Sequence, residues 1–69
     1  MVNRWIVLDE VTNRLLHEAP TAAAADLWLR DHELDPVFYR LRDTRTDVTY
    51  EFDPEVGKWY PLRSRGLVV

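Results

Sequence analysis

The chemistry on offer in this sequence is sparse. The 69 residues contain two histidines, twelve carboxylates and no cysteine. His32 stands between Asp31 and Glu33, whose side chains leave a helix in different directions, so the three do not converge on a metal ion. His17 has no ligand-type residue at a metal-binding spacing. Ser64 lies near the C-terminus with no base placed to activate it, and no two carboxylates are spaced for general acid–base work. The only glycines are Gly57 and Gly66, which rules out a glycine-rich phosphate loop. The expectation is a nonenzymatic protein with no catalytic residue, no metal and no cofactor.

What the sequence does carry is the chemistry of contact surfaces. Arg40, Arg42, Thr49, Glu51 and Trp59 are expected on one face of a sheet. Tryptophan and arginine are enriched at binding hot spots. On such a face Trp59 offers a protein partner an apolar anchor, or a nucleic acid a stacking platform. The opposing reading makes Trp59 structural, packed on arginine stems or turned inward by a bulge near Gly57. Asp26, Asp31 and Glu33 form an alternative surface on the solvent side of a helix. That surface suits a basic partner or mimics nucleic-acid charge, although simple solvation explains a charged helix face as well.

These residues need elements to hold them. Trp5-Ile6-Val7-Leu8 is apolar on both faces, as a strand covered on both sides would be. Asp9 to Asn13 reads as a turn, with Asn13 suited to the left-handed region, and Arg14 to Glu18 as the returning strand. Pro20 ends that strand. Thr21 is an N-cap, and the alanines after it are strong helix formers, so a helix is predicted from about Ala22 to Glu33. Its buried face is expected to carry Ala24, Leu27 and Trp28, with Ala25 and Leu29 at the borders.

Asp35-Pro36 opens an extended segment in which Val37, Tyr39 and Leu41 alternate with Phe38, Arg40 and Arg42. A loop at Thr44 to Asp47 returns the chain into Val48 to Phe52. Matching the inward residues sets Leu41 opposite Tyr50, Arg40 opposite Glu51 and Arg42 opposite Thr49. Pro54 and Gly57 mark the last turn, and Lys58 to Leu62 the last strand, where Pro61 fits an edge. The fold class is therefore α+β: one domain over residues 1–69, in β-β-α-β-β-β order, with a mostly antiparallel sheet and a helix on one face. Residues 63–69 are expected to be a flexible tail, or to add as a strand. The predicted core is Trp5, Val7, Leu16, Ala24, Leu27, Trp28, Val37, Tyr39, Leu41, Val48, Tyr50, Phe52 and Tyr60. Ile6 and Leu8 replace Trp5 and Val7 if the first strand is turned over.

Composition bounds the function. A chain this short buries only about 60% of its unfolded surface, and no disulfide supports it. A net charge of −3 argues against nonspecific nucleic-acid binding. The charge is uneven: residues 1–36 set three arginines against seven carboxylates, and residues 37–69 set six cations against five carboxylates. No secretory signal or membrane span is visible, so a cytoplasmic location and no membrane partner are expected. The leading functional expectation is a small protein-binding or regulatory module, such as a phage-type or accessory inhibitor of a larger complex. The alternative is a nucleic-acid-binding module using Arg40, Arg42, Lys58 and Trp59. Weak homodimerisation is also expected, because an exposed last strand or apolar tail would leave an unpaired edge.

Overall fold

The computed structural model describes residues 3–62. Five strands form one antiparallel sheet: β1 (Trp5–Asp9), β2 (Leu15–Ala19), β3 (Tyr39–Asp43), β4 (Val48–Asp53) and β5 (Lys58–Pro61). Across the sheet they lie in the order β2-β1-β3-β4-β5. A helix, α1 (Ala22–Asp31), connects β2 to β3 and packs on one face. The expected β-β-α-β-β-β order is the observed one. The expectations for the tail lie outside the described residues.

One local device closes all three hairpins. Asp9, Asp43 and Asp53 each accept, through Oδ1, the backbone N–H two residues on: Val11 at 2.7 Å, Arg45 at 3.0 Å and Glu55 at 2.9 Å. Four residues after each aspartate the chain turns left-handed, at Asn13 (φ 63°), Asp47 (φ 65°) and Gly57 (φ 77°). That residue's N–H returns to the aspartate carbonyl at 2.7–2.8 Å. Aspartate mimics a backbone turn with its side chain, and Asn, Asp and Gly tolerate positive φ, so each loop rests on residue chemistry alone. Loop length then fixes register. The Thr44–Asp47 loop sets Leu41 opposite Tyr50, Arg40 opposite Glu51 and Arg42 opposite Thr49, as the alternation predicted.

Thr21 caps α1 by accepting the Ala24 N–H at 3.0 Å. The helix stops at Asp31, short of the expected Glu33, because Glu33 adopts φ 57°. Leu34 N–H then bonds to the Leu29 carbonyl. Pro36–Phe38 form a single 3₁₀ turn, capped by Asp35, so Val37 is not part of the following strand.

The core sits between α1 and the sheet. Val7, Ala19, Ala25, Leu29 and Leu41 are buried, with Trp5, Trp28, Tyr39, Tyr50 and Trp59 packed around them. Ala25 and Leu29 therefore hold the centre of the helix stripe. Leu27, predicted as core, points away and is 56% exposed. It follows the buried Ala25 by two residues, which is about half a helical turn. Trp28 sits on the flank toward β2, its indole between the rings of His17 (centroids 4.6 Å, interplanar 7°) and His32 (4.4 Å).

Two more core assignments fail on strand pairing. β2 carries an irregularity against β1 in which Val7 opposes His17 and Leu8 opposes Leu15. Leu16 is thereby left without a direct partner on β1 and remains exposed. Tyr60 opposes Glu51 on the face away from the helix and is exposed. In β1 both Val7 and Leu8 are buried, with Val7 in the helix-facing cluster.

Candidate functional site

Directly opposed residues of an antiparallel pair share a face, so the register lays out the helix-free side of the sheet. One row runs Leu15, Leu8, Arg40, Glu51, Tyr60. The neighbouring row runs Glu18, Ile6, Arg42, Thr49. No helix among the described residues covers this side. Arg40, Arg42, Thr49 and Glu51 thus come together as the sequence suggested.

Trp59 does not join them. It pairs with Phe52, meets that ring edge-on with centroids 5.2 Å apart, and packs against the helix-facing core. Its indole Nε1–H donates to Asp26 Oδ1 at 3.0 Å. The cause is the Pro54–Gly57 turn, which opposes Asp53 to Lys58 and therefore Phe52 to Trp59. A one-residue difference in register moves every side chain to the other face. No bulge is involved in turning Trp59 inward. Tyr60 takes its place on the helix-free side. Counting pairs outward from the turn was the signal available in the sequence.

The acidic alternative is also dispersed. Asp26 pairs with Arg30 at 2.7 Å and receives the Trp59 bond, tying α1 to β5. Partial burial raises its carboxyl pKa, but the hydrogen bonds from Arg30 and Trp59 outweigh that and hold it below the ordinary value. Asp31 and Glu33 are exposed. Asp31, five residues beyond Asp26, lies on a different flank of the helix, and Glu33 lies past the helix end. The three do not form one face.

Within the open face, Arg42 is ion-paired with Asp47 across its own hairpin loop. Arg40 Nε is enclosed without a hydrogen-bond partner among the described residues. Beside Tyr60, a shallow depression of about 400 Å³ is lined by Glu51, Phe52, Asp53, Pro54, Tyr60, Pro61 and Leu62. A second depression, of about 440 Å³, lies at the opposite end of the strands between Arg4, Pro20, Thr44 and Arg45.

The strongest electrostatic feature is structural and was not foreseen. Arg4 grips the 2%-exposed Asp43 through Nε and Nη2, the former at 2.6 Å. That bonding holds the Asp43 carboxyl far below the usual carboxylate range, against the opposing effect of desolvation. Thr44 adds backbone and hydroxyl bonds to the Arg4 carbonyl. Together these fasten the segment before β1 to the end of β3.

No group of three or more potential metal ligands is found among the described residues, and no helix there is long and apolar enough to cross a membrane. Comparison with protein-family models, curated proteins and solved structures finds no match to the chain.

Proposed function

We propose that this chain is a nonenzymatic protein-binding module, an accessory regulator, and that its working surface is the helix-free face of the sheet. The observation that carries this reading is the exposure of Leu15 and Tyr60 at the two ends of the row Leu15-Leu8-Arg40-Glu51-Tyr60, on a side that α1 leaves uncovered, with Leu8 itself buried beneath it. Tyr60 is 43% and Leu15 49% exposed. Tyrosine and arginine are enriched where interfaces are most fully desolvated. The depression beside Tyr60 can receive a partner's side chain.

The nucleic-acid alternative loses support because Trp59, its stacking residue, is held by Phe52 and Asp26. The test is capture of partners from the native cell with wild type, Tyr60→Ala, Leu15→Ala and Leu27→Ala, followed by measurement of the affinity for the identified partner. Tyr60→Ala and Leu15→Ala should lose the partner while keeping their melting temperatures. Leu27→Ala, altered on the far side of α1, should bind normally. A partner held equally by all four proteins would refute the reading.

A further inference from the structure

The β2-β1-β3 half of the open face is complementary to itself. Arg42 sits on β3 and Glu18 on β2, level with each other on either side of Ile6. Glu18 is exposed and has no ion-pair partner among the described residues. We propose that two copies of this chain pack these faces together about a two-fold axis that runs along β1.

Such an axis lays β1 over β1 of the second copy and exchanges β2 with β3. Glu18 of each copy then lies over Arg42 of the other and shares that guanidinium with Asp47 of its own hairpin loop, making two equivalent ion pairs. Leu15 and Leu16, which are 49% and 38% exposed, lie over the Arg40 stem of the second copy, where methylenes cover apolar surface. Ile6, half-buried in the single chain, meets its own counterpart on the axis, while Leu8, already buried, lies beneath the contact. Other axes parallel to the strands match poorly. One along β3 stacks Arg40 and Arg42 on themselves, and one between β1 and β3 sets Ile6 against Arg42. Face-to-face packing of aligned sheets is an ordinary arrangement, and two-fold pairs are the commonest oligomers.

The seam covers three strands and leaves Tyr60 and its depression on β4 and β5 open. The seam shares Leu15 and Arg40 with the partner-binding row, so a second copy and a partner compete for that half of the face, and Tyr60→Ala, outside the seam, tests the partner alone. Three short strands give less contact than the roughly 800 Å² per partner of a standard interface, so a weak dimer is expected.

The test is sedimentation equilibrium of the full chain between 10 µM and about 1 mM at low ionic strength. Wild type should shift from monomer to dimer over that range. Glu18→Arg sets cation against cation at both pairs, and Arg42→Glu sets carboxylate against carboxylate, so each variant alone should dimerise roughly tenfold more weakly or worse. An equimolar mixture of the two variants should regain the wild-type dimer, because each then meets its complement, and loss of folding cannot produce that recovery. A wild type that stays monomeric throughout overturns the proposal. Variants that associate as wild type does, or a mixture no heavier than its parts, also overturn it. A monomer that still binds its partner through Tyr60 would remove the dimer and leave the proposed function standing.

Discussion

At the scale of single residues, neighbours in α1 have opposite fates. Leu29 is fully buried and Leu27 is 56% exposed. Leu29→Ala should cost about 2–5 kcal/mol, a large part of the stability of a domain this size. Leu27→Ala should stay within about 0.5 kcal/mol. Urea unfolding of both reads the difference, and equal midpoints would refute the assigned helix face. Asp43, Asp26 and Asp9 all have carboxyls held below their ordinary values. The Arg4 bonds lower Asp43, bonds from Arg30 and Trp59 overcome burial at Asp26, and backbone N–H bonds from Thr12 and Val11 lower Asp9. A depressed carboxyl stabilises the fold above its unfolded-state pKa, about 3.9 for aspartate, and that contribution is lost as pH falls through the native value. The melting temperature should therefore vary little in these groups' contribution between pH 7 and about 5 and fall steadily below about 4. Asp43→Asn should melt lower at pH 7 and show a shallower acid decline. An unchanged acid profile would mean that the Arg4 clamp contributes nothing.

At the scale of elements, the hairpins depend on their left-handed residues. Nothing lies within 4 Å of a Cβ placed on Gly57, but its φ is +77°. A substitution there is opposed by backbone conformation and not by crowding. Gly57→Val should cost about 1–2 kcal/mol, whereas Asn13→Gly, at an equivalent loop position, should change stability by only a few tenths. Thermal melts of the pair separate conformational cost from packing. Trp59 links β5 to α1, so Trp59→Ala should cost about 3 kcal/mol. Trp59→Phe should cost about 1 kcal/mol for the lost bond to Asp26. A Trp59→Ala protein as stable as wild type would return that residue to the surface.

For the whole molecule, the two sides of the sheet differ. One side closes on α1 and supplies stability, and the other displays mixed apolar and charged side chains. The proposed binding through Tyr60 and Leu15 should have a shallow salt dependence, because apolar anchors lose little to ionic screening. An affinity for single-stranded oligonucleotide that falls steeply between 50 and 200 mM salt, as counterion release requires, would instead restore the nucleic-acid alternative.

Sequence and structure divide along the range of the forces involved. Element order, the N-cap at Thr21, the three turns and the β3–β4 register were legible because each follows from neighbours within a few residues: proline, the left-handed formers and strict alternation. The gathering of Arg40, Arg42, Thr49 and Glu51 followed from that register. What lay beyond the sequence was settled by contacts across long separations. Which of Leu27 and Leu29 faced inward depended on how α1 rolled onto the sheet. Asp43 could not be told from other turn aspartates until Arg4, 39 residues away, closed on it. Trp59 lay between the two, its face implied by the length of its turn and its role decided by Asp26 and Phe52. Hydrophobic patterning records that a side chain is apolar, and only the packed structure chooses which apolar side chains meet and which stay free for another molecule.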